Sequence, residues 1–183
     1  MILYIHGFSG HGFGTKAQLV QKYFAKNNVV TPSLPYIPTL AIDTLKQQIN
    51  FALQYEDVFL IGSSLGGYYA TYLADYFKIK AVLLNPVVDP SLLSRYIGEK
   101  QHFYDNSSYE WNKKHIKMLQ QYTIETIDPS LYFLLTQTGD EVLNYKQGVE
   151  KFSNAQKIIT QGGNHSFENF ENYVPSIKKF FAL

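Results

Sequence analysis

The segment FLIGSSLGGYYA, residues 59–70, decides the fold of this chain. It starts as an apolar run, continues as a helical pattern, and contains G-x-S-x-G at residues 62–66. Between a strand and a helix, this pattern is typical of a sharp turn that lifts its central serine above a sheet. Side chains at the glycine positions would collide with the neighbouring strand and helix. We therefore predict that Ser64, rather than Ser63, is a nucleophile, and that the Leu65 N–H faces the reacting oxygen.

Short apolar runs alternate with longer amphipathic patterns along the whole chain. The strand candidates are ILYI, VVTPSL, VFLIG, AVLLN, LYFLLTQT and QKIIT, and the helix candidates are TKAQLVQKYFAKN, TLAIDTLKQQINFALQY, LGGYYATYLADYF and FENYVPSIKKFFAL. Several strands are apolar at consecutive positions, as strands buried on both faces are. This alternation predicts an α/β fold, with a mostly parallel sheet of about six strands and helices on both faces.

One interval breaks the alternation. Between residues 85 and 128 we find no strand pattern, only the helical segments PSLLSRYIGEK and SSYEWNKKHIKMLQQY. No linker composition and no repeat divides the chain, whose length suits one domain. We expect a single domain over residues 1–183, with a small helical cap inserted at about 86–128.

Composition excludes several function classes. The net charge of +1 gives no electrostatic footprint for nucleic acid. The absence of cysteine excludes disulfides and thiol nucleophiles. The first residues, MILYIHGF, lack the basic start of a signal peptide, and no apolar run approaches the length of a membrane span. We expect a cytoplasmic protein with no nucleic-acid or membrane partner.

A nucleophilic serine needs a base, and the base needs an orienting carboxylate. Asp140 follows the strand candidate LYFLLTQT, and His165 follows the last strand candidate, QKIIT. The carboxyl ends of parallel strands meet at one sheet edge, so both side chains are expected near Ser64. Glu141 and Asp89 remain alternative acids, and a helix N-cap remains an alternative role for Asp140.

The glycine-rich stretch GFSGHGFGTK, residues 7–16, first raises the question of a nucleotide site. It fails the phosphate-loop pattern because Lys16 follows Thr15 instead of glycine. The dinucleotide pattern G-x-G-x-x-A is met at residues 12–17, but these glycines begin several residues after the strand. The first acidic residue of the chain, Asp43, lies in a helix candidate and does not suit a ribose contact. We therefore expect no nucleotide cofactor.

The same stretch fits a different role. YIHGF, residues 4–8, is a strand followed by His-Gly-Phe. In α/β-hydrolases this position supplies the second backbone N–H group of the oxyanion hole, beside the one that follows the nucleophile. The backbone N–H of Phe8 would then face that of Leu65, and His6 would support the loop structurally.

No metal site is apparent from the histidines, which are isolated and lack H-E-x-x-H spacing. His102 and His115 lie in the cap and are expected at the surface, and His11 lies in the glycine-rich stretch. No cofactor of any kind is expected.

The combination of motifs resembles the YqiA-like esterases, which are small, cofactor-free bacterial α/β-hydrolases. The resemblance rests on YIHGFSG, GSSLGGYYATYLAD, LNPVVDP, LLTQTGDEVLNY and GGNHSFENF, in that order, and covers essentially the whole chain. It implies Ser64 as nucleophile, Asp140 as acid and His165 as base, with esterase or thioesterase activity on acyl substrates. The sequence departs from relatives at residues 11–13, His-Gly-Phe, where Ser and Pro are frequent, and this leaves the acyl preference open.

We thus expect a serine hydrolase acting on a small-molecule acyl ester or thioester through an acyl-enzyme. The cap aromatics could cover an apolar acyl chain or form the core of the cap; they are Phe103, Tyr104, Tyr109 and Trp111. Two alternatives remain: a non-catalytic binding protein on a hydrolase scaffold, and acyl transfer to an acceptor other than water. The oligomeric state and the physiological substrate stay open.

Overall fold

The computed structural model describes all 183 residues. Its strands are β1 (Ile2–Ile5), β2 (Val29–Val30), β3 (Phe59–Ser63), β4 (Ala81–Leu84), β5 (Gly98–Gln101), β6 (Ser108–Trp111), β7 (Tyr132–Gln137) and β8 (Gln156–Thr160). Its α-helices are α1 (Thr15–Tyr23), α2 (Pro38–Ala52), α3 (Leu65–Phe77), α4 (Lys113–Gln120), α5 (Tyr145–Lys151) and α6 (Val174–Phe181).

Six strands form one sheet in the order β2-β1-β3-β4-β7-β8, and every pair in it is parallel. Strand β3 lies between β1 and β4, so the turn after it emerges from the middle of the sheet. The six runs proposed as strands all contain one, which confirms the predicted α/β architecture. Apolar side chains fill β3, β4 and β7 on both faces because helices cover each side.

The two faces of the sheet bury separate apolar clusters. Helices α2 and α3 pack on one face together with the segment between β4 and β7, and α1 and α6 pack on the other. Leu45 and Ile49, about one turn apart in α2, are fully buried where that helix faces the sheet. Val20 is fully buried on the corresponding face of α1. Pro175 lies in the first turn of α6, where a backbone N–H would have no acceptor within the helix, so the proline is accommodated without a kink.

The segment between β4 and β7 differs from the predicted cap. It contains a 3-10 helix (Pro90–Tyr96), the antiparallel hairpin β5–β6, helix α4 and a short 3-10 turn. The expectation of no strand here is wrong, because the polar residues of GEKQ and SYEW hid a hairpin that buries only one face. Tyr109 and Trp111, two positions apart in β6, are the buried ones, and that period of two was the available signal.

None of the helices has both the length and the apolar character required to cross a lipid bilayer.

Candidate active site

Ser64 forms the sharp turn between β3 and α3. Its backbone has φ 54° and ψ −119°, a region that residues with a side chain rarely adopt. A Cβ atom on Gly62 would lie 2.3 Å from the Gly66 carbonyl oxygen, and one on Gly66 would lie 2.0 Å from the Ile5 carbonyl oxygen. Both glycines of the pattern are therefore required by close backbone approach, as the sequence suggested.

The structure brings Ser64, His165 and Asp140 together in one hydrogen-bonded chain. Ser64 Oγ lies 3.0 Å from His165 Nε2. His165 Nδ1 lies 2.9 Å from Asp140 Oδ2 and 3.0 Å from Oδ1. Since an ionised carboxylate only accepts, Nδ1 carries the proton, and Nε2 is left to accept the proton of the serine hydroxyl. The Asp140 side chain is 1% exposed and that of His165 is 21% exposed, so the histidine is the one open to a ligand.

The alternative acids have other partners. Asp89 accepts hydrogen bonds from the Ser91 N–H and hydroxyl, at the start of the 3-10 helix that it caps. Glu141 accepts a 3.0 Å hydrogen bond from the backbone N–H of His165, and this bond lowers the pKa of its carboxyl. The carboxylate on the imidazole is that of Asp140, and Glu141 instead holds the histidine backbone.

Asp140 is not a helix N-cap, the alternative role that its position left open, because Asn144 caps α5. Its Oδ1 accepts hydrogen bonds from the N–H groups of Val142, at 2.9 Å, and Leu143, at 2.8 Å. These bonds hold the carboxylate in the turn before α5 while it also contacts the imidazole.

The loop after β1 lies beside the serine. A Cβ on Gly7 would be 3.2 Å from the Ser64 Cβ and 3.7 Å from its Oγ. The next N–H, that of Phe8, donates to no protein acceptor. Leu65 is the first residue of α3, so its N–H has no intrahelical acceptor either. The backbone N–H groups of Phe8, next to Gly7, and of Leu65, next to Ser64, are therefore both without an acceptor in the protein.

His6 holds this loop from both of its ring nitrogens. Nδ1 is 2.8 Å from the Gly7 carbonyl oxygen, and Nε2 accepts a 3.0 Å hydrogen bond from the Leu34 N–H. Burial lowers its pKa, in keeping with a neutral ring that donates from Nδ1 and accepts at Nε2. His6 is a structural residue, as its position suggested.

Sequence reasoning missed Asn85, which is 2% exposed and has φ 40° at the end of β4. Its Nδ2 donates to the carbonyl oxygens of Asn164, at 2.9 Å, and His165, at 3.3 Å. Its Oδ1 accepts from the Gln137 N–H at 2.9 Å and from the Thr136 hydroxyl at 3.2 Å. The amide thus ties the backbone of His165 to the end of β7, the strand that leads to Asp140.

Gln137, the last residue of β7, was missed as well and is 1% exposed. Its Oε1 accepts from the N–H groups of Asn164, at 3.2 Å, and Glu168, at 3.0 Å, and its Nε2 donates to the Glu168 carbonyl at 2.8 Å. The available signal for both residues was a polar amide placed at the end of an otherwise apolar buried strand.

A cavity of about 690 Å³ opens above Ser64 and His165, which both line it. The predicted cap aromatics divide between the two roles left open. Tyr109 and Trp111 are buried in the cap core, where the Trp111 ring packs edge-on at 4.9 Å from that of Phe8. Phe103 is largely exposed and lines the cavity, and Tyr104 is exposed without lining it.

The remaining histidines have varied surroundings. His115 is buried, not at the surface as expected, because its ring stacks on Trp111 and its Nδ1 accepts a hydrogen bond from the Asn112 N–H, capping α4. His102 is half-buried against Tyr109, and His11 lines the cavity. No three His, Cys, Asp or Glu side chains are grouped so that they could hold a metal ion.

Known structures share this architecture. The ferulic acid complex of Est1E from Butyrivibrio proteoclasticus superimposes with a TM-score of 0.76 at 15% identity, over 99% of this chain and 87% of the other. A monoacylglycerol lipase from Paleococcus ferrophilus gives a TM-score of 0.74 at 15% identity, over 98% and 93%. At such identities these similarities show the fold, which is that of the α/β-hydrolases.

Sequence comparison gives the family. The protein YcfP of Escherichia coli is 24% identical over 190 aligned positions, which cover 100% of this chain and 99% of YcfP. Residues 1–182 match the family described as "Uncharacterised protein family (UPF0227)", which groups YqiA-like and YcfP-like proteins. The family resemblance drawn from the motifs is thereby confirmed, and the chain belongs to the UPF0227 family.

Proposed function

We propose that this protein is a serine hydrolase that cleaves carboxylic esters or thioesters through an acyl-enzyme. The observation that carries the proposal is the hydrogen-bonded chain from Ser64 Oγ through His165 to Asp140. Nucleophile, base and orienting acid at 2.9–3.0 Å satisfy the distances that this chemistry requires. Esterases and lipases among the structures of the same fold are in keeping with it.

In the first half-reaction, His165 Nε2 takes the hydroxyl proton as Ser64 Oγ attacks the carbonyl carbon. The N–H groups of Phe8 and Leu65 hold the resulting oxyanion, and one such donor lowers the barrier by roughly 3–4 kcal/mol. Asp140 keeps the imidazole in the right tautomer and stabilises its charged form. The intermediate then expels the alcohol or thiol, which takes the proton from His165 and leaves the acyl group on Ser64.

In the second half-reaction, His165 takes a proton from water as the water oxygen attacks the acyl-enzyme. Collapse of this second intermediate releases the carboxylic acid and returns the proton to Ser64. No cofactor enters either half-reaction.

The first test is intact mass after incubation with a small fluorophosphonate, which labels an activated serine without assuming a substrate. We expect one adduct on the wild type, none on Ser64→Ala, and one on the matched variant Ser63→Ala. Peptide mapping places the adduct on Ser64. No adduct on a folded wild-type protein would overturn the proposal and favour the non-catalytic binding protein.

Labelled protein is then compared with unlabelled protein for release of p-nitrophenol from p-nitrophenyl butyrate. Hydrolysis should stop in proportion to labelling. Product analysis with added alcohols or thiols separates hydrolysis from acyl transfer, because transfer yields a new ester instead of the free acid.

A further inference from the structure

The cavity above Ser64 crosses the top edge of the sheet and reaches the apolar clusters of both faces. At one end its lining comes from the cap side, with Phe8, Val87, Leu93, Tyr96, Val142 and Leu143. At the other end its lining comes from β1, α1 and the chain after His165, with Tyr4, Ala17, Phe167 and Phe170. A bound ester would therefore have groups on either side of the nucleophile.

A lysine without an acidic partner stands at the α1 end. Lys16 is half-buried, and its ammonium donates to the carbonyl oxygens of Ser166 and Phe167, the latter at 2.6 Å. Those two bonds use two of the three N–H groups of the ammonium and leave one. No carboxylate lies within 4.0 Å of it, since the ion pairs of this protein are formed elsewhere.

The fixed charge of the lining is positive overall. Arg95 also lines the cavity, and its guanidinium donates to the Val142 carbonyl at 3.0 Å without a carboxylate partner. The acidic residue of the lining, Glu168, already accepts a 2.6 Å hydrogen bond from Asn164 Nδ2. Asp140 is covered and does not line the cavity. Glu171 acts on the Lys16 charge only from beyond ion-pair distance. A partly buried cation with no carboxylate in contact favours an anionic ligand, because the local dielectric is lower than that of water.

We propose that the cavity selects esters or thioesters that carry an anionic oxygen group, a carboxylate or a phosphate, and that Lys16 binds this group. This inference rests on the proposed hydrolase function and adds its substrate class. A hydrogen bond to a charged group corresponds to about tenfold to hundredfold in kcat/KM between the anionic ester and its neutral analogue. Burial lowers the pKa of Lys16 to about 8, so the side chain is charged at neutral pH but loses its proton in mildly alkaline solution.

The test compares kcat/KM within two pairs of esters. In one pair the anion is on the acyl side, with mono-p-nitrophenyl succinate against p-nitrophenyl pentanoate. In the other it is on the alcohol side, with 4-butyryloxyphenyl phosphate against phenyl butyrate. We expect the anionic member of at least one pair to be preferred tenfold or more, and the pair concerned identifies which side of the ester faces Lys16.

Three variants test whether Lys16 causes the preference for the anionic ester. Lys16→Met should reduce the ratio of anionic to neutral kcat/KM at least tenfold, and Lys16→Arg should retain it. Lys22→Met, on the exposed side of the same helix, is the matched control and should leave the ratio unchanged. The ratio is the readout because loss of the bonds to Ser166 and Phe167 would slow both esters alike.

The inference is overturned if the wild type prefers the anionic ester in neither pair. It is also overturned if Lys16→Met leaves the ratio unchanged, or if Arg95→Gln abolishes the ratio and Lys16→Met does not. Each of these results can occur while p-nitrophenyl pentanoate is still hydrolysed, so the hydrolase proposal survives it. Failure of the wild type to hydrolyse any ester or to accept the fluorophosphonate would instead refute the hydrolase proposal itself.

The pH dependence gives an independent readout. Glu171 acts on the charge of Lys16. The other ionisable side chains that line the same cavity are Tyr4, His6, His11, Arg95, Tyr96, His165 and Glu168. As pH rises through about 8, the preference of the wild type for the anionic ester should fall. In Lys16→Arg, which stays charged, it should persist; equal behaviour of the two proteins would contradict the role of Lys16.

Discussion

Asn85→Asp is the substitution that best separates the position of His165, the proposed base, from its chemistry. The change keeps the shape of the side chain and the acceptor that receives the Gln137 N–H at 2.9 Å. It replaces the Nδ2 donor with a carboxylate oxygen that faces the carbonyl oxygens of Asn164 and His165. Attraction at 2.9 Å and 3.3 Å thus becomes repulsion in a site that is 2% exposed.

The expected magnitude follows from those two bonds. The Asn164 carbonyl keeps its 3.0 Å hydrogen bond from the Phe167 N–H, so the His165 carbonyl is the one left without a donor. A buried acceptor without its donor costs about 1–3 kcal/mol, and the buried charge beside it adds to this, so we expect the unfolding free energy to fall by about 2–4 kcal/mol. The His165 backbone must move away from the carboxylate, and a displacement of about 1 Å costs roughly a hundredfold in kcat. KM should change little, because Asn85 does not line the cavity.

Urea unfolding and steady-state ester hydrolysis measure both effects, with Asn144→Asp as the matched control. Asn144 caps α5 with its Oδ1 alone, accepting from the Lys146 N–H at 3.1 Å, and an aspartate there does the same. The control should keep wild-type stability and kcat. Asn85→Asp should also regain part of its stability deficit near pH 4, where a protonated carboxyl can donate again. Wild-type kcat in a folded Asn85→Asp variant would refute the positioning role.

Three further outcomes follow from the same geometry. Ser64→Gly should have an unfolding free energy about 1–2 kcal/mol higher than that of Ser64→Ala, since φ 54° strains alanine and not glycine. Equal denaturation midpoints of the two variants would contradict a strained turn. Gly66→Ala should give little folded protein by circular dichroism, because its Cβ would lie 2.0 Å from the Ile5 carbonyl oxygen, and a normal melting curve would be the contrary result. Because burial lowers the pKa of Lys16 from 10.5 to about 8, the unfolded state binds its proton more tightly in that window. Stability should therefore rise with pH between about 8 and 10 more in the wild type than in Lys16→Met, as measured by urea titration at both pH values.

The sequence predicted most of the fold and singled out the three side chains that the structure joins in one hydrogen-bonded chain, for a physical reason. Both depend on local patterns: both-face-buried strands are apolar at successive positions, and the turn at Ser64 leaves no space for any residue but glycine at 62 and 66. The hairpin β5–β6 could not be read in the same way, since one of its faces is solvent-exposed and polar. Nor could the roles of Asn85 and Gln137, whose hydrogen bonds join segments far apart in the chain.

The order of strands explains why those two amides are needed. Ser64 follows β3 and His165 follows β8, and these strands are three places apart in the sheet, with β4 and β7 between them. At about 4.8 Å per place, the two residues start from strand ends roughly 14 Å apart, farther than an imidazole can reach. The chain after β8 must therefore return over the ends of β7 and β4. Gln137 stands at the end of β7 and Asn85 at the end of β4, and each binds the backbone of this returning segment. The sheet thus separates Ser64 from His165, and the buried amides at the two intervening strand ends hold the returning segment so that Ser64 Oγ and His165 Nε2 lie 3.0 Å apart.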